Sequence, residues 1–215
     1  VTGEDGQPPV RAGISVVDMG TGMWCAIGIL AALNRRHDTG RGGVIDTSLF
    51  ETALGWTAYY NTDVQVTGET PKRHGSGVRG IMPYQAYECA DGYLVVAASN
   101  DRLFASLAHD LGHPEWLDDP RFVDNPARAS HREELNGLLM PIFKAQPRSH
   151  WQDRLDNAGV PNAPIQHAGE VIAHPQTQAL EMLQDTGMGL ALTGLPISFD
   201  GERPPLRNIA PELED

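Results

Sequence analysis

Asp18 is the residue whose type and position could most directly do chemistry. It follows Ile-Ser-Val-Val at 14–17 and precedes residues 19–36, a run that predicts a helix hydrophobic on nearly every face. An aspartate that opens a helix accepts backbone N–H bonds as an N-cap, and the helix dipole favours its charge. Gly20 and Gly22 would leave room for a ligand beside it. Such a carboxylate can be a nucleophile toward an activated acyl group or a base at an acidic α-carbon; a plain helix cap is the alternative.

A glycine-rich segment, residues 75–80, is the second feature that could serve a reaction. Its sequence, Gly-Ser-Gly-Val-Arg-Gly, has the spacing of the dinucleotide-binding fingerprint, which needs a preceding strand and a helix that opens within it. Pro71 and basic residues precede it and Pro83 follows it, so we expect a flexible loop instead. Glycine permits close approach of a ligand, so the loop could be a lid over a reaction centre. A plain connection is the alternative.

Metal and disulfide patterns are weak in this sequence. His109 and His113 are four residues apart, but Gly112 and Pro114 end the predicted helix there, and a solvated helix end is the interpretation we favour. Cys25 lies within the predicted apolar helix, and we expect it to be buried there as a small hydrophobic residue. Two cysteines do not make a disulfide framework. We therefore expect no metal and a reducing, cytoplasmic compartment.

The composition is that of a globular protein. The chain has 215 residues, 40% of them hydrophobic and 20% charged, which suffices to bury a core and differs from a disordered chain. A formal net charge of −12 argues against general nucleic-acid binding, which needs clustered Lys and Arg. The longest apolar stretch, residues 19–33, contains three glycines and is too short to span a bilayer. We expect neither nucleic acid nor membrane as a partner.

The predicted elements change in kind near residues 66–82. Before this point the pattern predicts two long helices, 19–36 and 49–66, joined by a short strand at 44–48. After it, two strands around Asp91-Gly92 predict a hairpin over residues 84–99, and Asn100 could cap a helix to residue 111. Further helices are predicted at 130–144, 149–158, 168–173 and 175–183, and extended segments at 161–164 and 187–199.

Taken in order, several stretches of the chain resemble the type III CoA-transferases, a family that includes formyl-CoA transferase, carnitine CoA-transferase and α-methylacyl-CoA racemase. The first two are VRAGISVVDMGTG at 10–22 and AIGILAAL at 26–33. The others are TGRG at 39–42, IDTSLFE at 45–51, PYQAY at 83–87, DGY at 91–93, DPRF at 119–122, AGVP at 158–161 and AHPQ at 173–176. No single stretch is decisive, but the ordered series is specific and covers nearly the whole chain.

The resemblance implies an α/β fold with a small α+β domain. Residues 1–67 would belong to the large Rossmann-like domain, residues 68–200 would form the small α+β domain with the glycine-rich loop, and residues 201–215 would be a linker returning to the large domain. Family members are interlocked homodimers. The chain begins without Met and ends in an acidic run, and we expect the middle and later portion of such a protein, without its N-terminal CoA-binding segment.

The resemblance also implies a chemistry. Asp18 falls on the family's nucleophile, which attacks an acyl-CoA thioester to give a mixed anhydride and then an aspartyl-CoA thioester. A small carboxylic acid then collects the coenzyme A. The residues Gly75, Ser76, Gly77 and Gly80 fall where the family has the glycine-rich loop that shields these intermediates from water, although the glycine run is interrupted here. Coenzyme A would take part as the acyl-CoA substrate, without a metal.

Two other interpretations stay open. Racemases of the family use an aspartate at this position with a histidine from the preceding segment, so Asp18 could be the acid/base of an α-methylacyl-CoA racemase. The chain by itself could also be an inactive, non-catalytic fragment with an incomplete site. Residues 18–22 and the glycine-rich loop resemble the transferases more closely, and a CoA-transferase is the function we predict.

Overall fold

Helices pack against the buried face of a small three-stranded antiparallel sheet in this chain. The computed structural model describes residues 2–208. In chain order the elements are α1 (Val16–Thr39), α2 (Leu49–Trp56), α3 (Ala58–Thr67), β1 (Tyr84–Cys89), β2 (Gly92–Ala97), α4 (Asp101–Leu111), a 3₁₀ turn (Pro114–Leu117), α5 (Asn125–Ser130), α6 (Arg132–Lys144), α7 (Arg148–Asn157), β3 (Asn162–Pro164), α8 (Ala168–Ala173), α9 (Pro175–Ala179), β4 (Leu183–Asp185) and β5 (Ala191–Thr193). This mixture of helices with two small sheets agrees with the predicted fold class. The division at residues 67 and 200 stays a prediction, and residues 209–215 of the predicted linker lie outside the described residues.

The predicted helix over residues 49–66 is two helices, α2 and α3, with a break at Thr57. The Thr57 hydroxyl donates to the carbonyl of Ala53 at 2.9 Å, and the Asn61 amide donates to the carbonyl of Leu54 at 3.0 Å. The Asn61 side chain thus bonds a carbonyl that a continuous helix would bond to a backbone N–H, whereas the Ala53 carbonyl also keeps its backbone bond from the Thr57 N–H at 3.1 Å. The strand predicted at 44–48 is also wrong, because those residues pair with no strand among residues 2–208.

Helix α1 is long and largely exposed. It runs for 24 residues and ends at Gly40, whose φ of 67° is the left-handed conformation common at helix ends. Gly20 is its buried residue, whereas Met19, Met23 and Leu30 are more than half exposed. The residues of this chain therefore leave α1 largely uncovered, and Cys25 is half-buried rather than buried as expected. By length and composition alone α1 could cross a membrane, a criterion that core helices of soluble proteins also meet.

The hairpin and its sheet confirm the sequence prediction closely. Strands β1 and β2 pair antiparallel from Tyr84 opposite Ala97 to Cys89 opposite Gly92, and β3 joins the other edge of β2. Gly92 has a φ of 147°, which a side chain would strain. As predicted, Asn100 caps α4, its side chain accepting from the N–H of Leu103 at 2.9 Å.

The hydrophobic core of the described residues lies between this sheet and helices α4, α6 and α7. Its centre is aromatic: Tyr87 stacks on Phe143 at 4.8 Å between ring centroids, and Phe143 meets Trp151 edge-on at 5.1 Å. The Trp151 indole N–H donates to the carbonyl of Phe143 at 2.8 Å, so its polar atom is paired inside the core. These contacts hold α6 and α7 against the sheet.

Candidate active site

Asp18 lies in the first turn of α1 with an exposed side chain. The helix begins at Val16, and Ser15 occupies the N-cap position, where its carbonyl accepts from the N–H of Met19 at 3.0 Å. The prediction that Asp18 opens the helix as its cap is therefore wrong. A first-turn carboxylate interacts favourably with the helix dipole, and its exposure leaves it open to a ligand.

The two glycines after Asp18 differ in what surrounds them. A Cβ atom at Gly20 would collide with the indole ring of Trp56, so this glycine lets α1 pack closely against α2. Beside it the Thr21 hydroxyl donates to that of Thr52 at 2.9 Å. A Cβ atom at Gly22 would meet nothing within 4 Å. The space expected for a ligand is present at Gly22 and absent at Gly20.

The glycine-rich loop is a loop in the structure, as predicted, with neither a strand before it nor a helix within it. Gly75 and Gly80 have φ values of 58° and 72°, which favour glycine. The Gly75 N–H donates to the carbonyl of Gly3 at 2.9 Å, and the Ser76 hydroxyl oxygen accepts from the N–H of Ala86 at 3.1 Å. Gly75 and Ser76, in the first half of the loop, are therefore each held by one hydrogen bond to a backbone group.

Side chains from the following helices hold the second half of the loop and the residues after it. Asn125 donates to the carbonyl of Gly80 at 2.8 Å and accepts from the N–H of Met82 at 3.1 Å. Arg128 donates to the carbonyl of Met82 at 2.9 Å. On the other side Arg79 forms an ion pair with Asp63 of α3. Nothing local in the sequence marks Asn125 or Arg128, because their partners lie some 45 positions away along the chain.

A cavity of about 320 Å³ lies between the loop and the segment that leads into α1. Gly75 and Gly77 line it together with Arg11, Lys72 and His74. Arg11 also reaches the hydroxyl of Ser15 at the start of α1, at 3.5 Å. The cationic side chains of Arg11 and Lys72 beside glycine backbone suit a small anion such as a carboxylate. Asp18 is not among the residues that line this cavity.

A larger open cleft of about 1270 Å³ lies on the other side of the same loop, where Ser76, Gln85 and Arg132 line it among mixed charges. His74 and Lys72 border both cavities. Burial, followed by the charges of Arg132 and Lys72, lowers the pKa of His74, which keeps its imidazole neutral at pH 7. The structure thus brings Gly75, Ser76 and Gly77 to these cavities, while Asp18 and Gly80 line neither.

The histidines at positions 109 and 113 do not share a helix face. Helix α4 ends at Leu111, so His113 lies outside it, where its Nδ1 is 2.8 Å from Glu115 Oε1 and its ring stacks on Trp116 at 4.5 Å. Among residues 2–208 no group of three or more potential metal ligands comes together. The solvated helix end favoured from the sequence describes this place correctly.

Comparison with curated proteins places these residues among CoA-transferases. An acyl-CoA transferase of Fusarium pseudograminearum is 42% identical over 194 residues, which cover 90% of this chain and 42% of that protein. An acetyl-CoA:oxalate CoA-transferase of Acetobacter aceti is 34% identical over 98% of this chain and 54% of its own length. The succinyl-CoA:glutarate CoA-transferase of Homo sapiens is 32% identical over 176 residues, which cover 82% of this chain and 40% of that protein. The chain spans about half the length of these relatives.

Solved structures and a family model agree with this result. The crystal structure of a CaiB/BaiF family protein from Brucella suis superposes with a TM-score of 0.83 at 35% identity, covering 99% of this chain and 56% of that one. The model of CoA-transferase family III matches residues 1–215. The chain therefore belongs to CoA-transferase family III.

Proposed function

We propose that the protein transfers coenzyme A from an acyl-CoA donor to a small carboxylic acid, with Asp18 as the nucleophile. Membership of CoA-transferase family III is the observation that carries this proposal, and the relatives described above are all named as transferases. Those names favour a transferase over an α-methylacyl-CoA racemase. Oxalate and glutarate, the acids in two of the names, are the first acceptors to test.

In the proposed reaction, a carboxylate oxygen of Asp18 attacks the thioester carbonyl carbon, the carbon–sulfur bond breaks, and coenzyme A leaves as thiolate. The thiolate then attacks the aspartyl carbonyl of the mixed anhydride, which releases the donor acid and leaves an aspartyl-CoA thioester. The acceptor carboxylate displaces the thiolate to form a second anhydride. Attack of the thiolate on the acceptor carbonyl gives the new acyl-CoA and restores the Asp18 carboxylate.

Exclusion of water is the main task of a site that handles an anhydride. The glycine-rich loop supports this role, because Gly75, Ser76 and Gly77 are exposed or half-buried; Gly75 and Gly77 line the smaller cavity, and Ser76 lines the larger cleft. The basic side chains of Arg11 and Lys72 in the smaller cavity support binding of an acceptor carboxylate there.

Replacing Asp18 by asparagine tests the nucleophile in the intact protein. Asparagine keeps the size of the side chain and removes the charge that attacks, so transfer should fall by several orders of magnitude, as it does when a nucleophile is lost. Asp38→Asn, an exposed change in the last turn of the same helix, is the matched control and should keep normal turnover. Mass spectrometry with acyl-CoA should detect an adduct on Asp18 in wild type. Normal turnover in Asp18→Asn would refute the assignment.

A second measurement separates the transferase from the racemase, since both would suffer in Asp18→Asn. Wild-type protein is incubated with a 2-methylacyl-CoA in deuterated water. The proposal expects CoA transfer and an aspartyl adduct without deuterium at the α-carbon. Deuterium uptake at that carbon with no adduct on Asp18 would establish the racemase.

We further propose that the protein is a homodimer and that the 215 residues are inactive alone. Exposed apolar side chains on α1, such as Met23, Trp24 and Leu30, form a surface that a soluble protein covers with another chain or segment. Light scattering of the intact protein should give the dimer mass, and a monodisperse monomer would contradict the proposal. Full transfer by the 215-residue chain would contradict its inactivity.

We propose a cytoplasmic location as well. Cys25 and Cys89 are both free thiols, which suits a reducing compartment. Cell fractionation followed by an activity assay would test the location, and recovery of the activity outside the cytoplasm would overturn it.

A further inference from the structure

We infer that Arg132, the first residue of α6, is a positioning residue of the glycine-rich loop. Its guanidinium helps to hold residues 78–81, so that residues 75–77, which no helix side chain in the described part of the chain bonds, are the part of the loop that moves as a lid. The consequence for catalysis rests on the proposed function, whereas the tether itself is a property of the fold.

The contacts of Arg132 span the second half of the loop. Its Nη2 donates to the carbonyl of Val78 at 2.7 Å and to that of Ile81 at 2.8 Å, and its Nη1 reaches Gln85 Oε1 at 3.3 Å. A guanidinium offers five N–H donors in a rigid plane, so one side chain can hold both ends of this turn. These are charge-assisted bonds, which are stronger than bonds between neutral groups.

The guanidinium is itself aligned by the core. Gln85 is 8% exposed on β1, and its Oε1 also accepts from the Asn136 amide of α6 at 3.3 Å. The Oδ1 atom of Asn136 in turn accepts from the buried Tyr87 hydroxyl at 3.1 Å. The tether therefore connects the loop to β1 and α6, which are fixed elements, rather than to another loop.

Gly77 provides an independent observation. A Cβ atom there would lie 2.9 Å from Arg132 Nη1 and 2.9 Å from the carbonyl oxygen of His74. The φ of Gly77 is not in the left-handed region, so space rather than backbone conformation excludes a side chain. The glycine at this position thus leaves the room that the guanidinium occupies.

Hydrogen exchange in the intact protein tests the tether directly. In Arg132→Ala the peptide over residues 78–82 should exchange about tenfold faster, since its local opening becomes easier. The control Arg121→Ala removes an exposed cation paired with Asp119 and Glu134 and should leave this peptide unchanged. Unchanged protection of β2 in both variants would show that the fold is kept. No difference between the two variants at 78–82 would overturn the inference.

The partition between transfer and hydrolysis tests the catalytic consequence. A loop out of place should admit water to the anhydride, so Arg132→Ala should raise the ratio of acyl-CoA hydrolysis to transfer about tenfold with little change in donor KM. Arg132→Lys should recover part of the wild-type ratio, because one ammonium can bond one of the two carbonyls. Faster exchange with an unchanged ratio would overturn the catalytic role. A wild type without any transfer would refute the proposed function instead, and the exchange comparison would still decide the tether.

Discussion

Replacing Arg128 by methionine should destabilise the folded protein more than any surface change. Arg128 is fully buried, and its guanidinium lies 4.2 Å from the centroid of the Phe104 ring. It donates to the carbonyls of Met82 at 2.9 Å and Phe122 at 3.0 Å, and to Asp101 Oδ1 at 2.6 Å. One side chain thus joins the end of the glycine-rich loop, the start of α4 and the segment before α5.

The expected loss follows from what methionine leaves behind. It fills a similar volume but donates nothing, so two buried carbonyls lose their partner at about 1–3 kcal/mol each. Loss of the contact with the Phe104 ring adds about 0.5–2 kcal/mol. The burial of a charge is relieved at the same time, which offsets several kcal/mol. We expect a net loss of about 3 kcal/mol in the free energy of unfolding.

Urea unfolding followed by tryptophan fluorescence measures this loss, because Trp116 and Trp151 are 6% and 3% exposed in the same core. The matched control is Arg121→Met, whose ion pairs are exposed and should contribute little. For Arg128→Met the urea concentration at the unfolding midpoint should fall, while the slope of the unfolding free energy against urea concentration should stay the same. A loss below about 1 kcal/mol, or one equal to that of the control, would refute the role given to Arg128.

Two further changes test the packing of α1 and the surface charges. Gly20→Ala should destabilise by about 1–3 kcal/mol because the new methyl group meets the Trp56 ring, whereas Gly22→Ala should stabilise by up to about 1 kcal/mol in open space; equal urea midpoints for the two variants would contradict this packing. The hydrogen bond from Arg121 lowers the pKa of Asp119 to about 2 from 3.8, so its contribution to stability is present above pH 3.8 and is lost as the pH falls toward 2. In Asp119→Asn the urea midpoint should change less between pH 3.8 and pH 2 than it does in wild type. An equal pH dependence in the two proteins would contradict this effect of Asp119.

The sequence predicted correctly the helices and strands that are set by residues close together in the chain. Asn100 precedes a helix and its side chain caps that helix; Asp91-Gly92 separates two alternating runs, and the strands pair around it. The break between α2 and α3 was missed, because Thr57 and Asn61 act through hydrogen bonds to Ala53 and Leu54 that apolar periodicity does not report. The apolar pattern of α1 indicates that the helix should be covered, but the pattern does not say by what, and this chain leaves it exposed.

Some residues of the candidate site could likewise be predicted from the sequence, and others could not. Asp18 and the glycine-rich loop could be found from the sequence, because family resemblance extends over short stretches that include them. The roles of Gly20 and Arg132 could not, because each depends on a partner far along the chain: the Trp56 ring for Gly20, and the Val78 carbonyl for Arg132. Such contacts arise only when helices and loop are packed together.

The exposure of Asp18 sets a condition on the reaction proposed for it. An anhydride in water hydrolyses, yet Asp18 is exposed and lines neither of the two cavities described above. The apolar side chains that need cover begin at Met19, directly beside it. A protein surface that covers α1 would therefore bury this face and exclude water from Asp18 at the same time. Met23→Asp in the intact protein would place a charge on this apolar face, so it should lower CoA transfer and raise hydrolysis together. A variant that transfers CoA at the full rate without added hydrolysis would contradict this coupling.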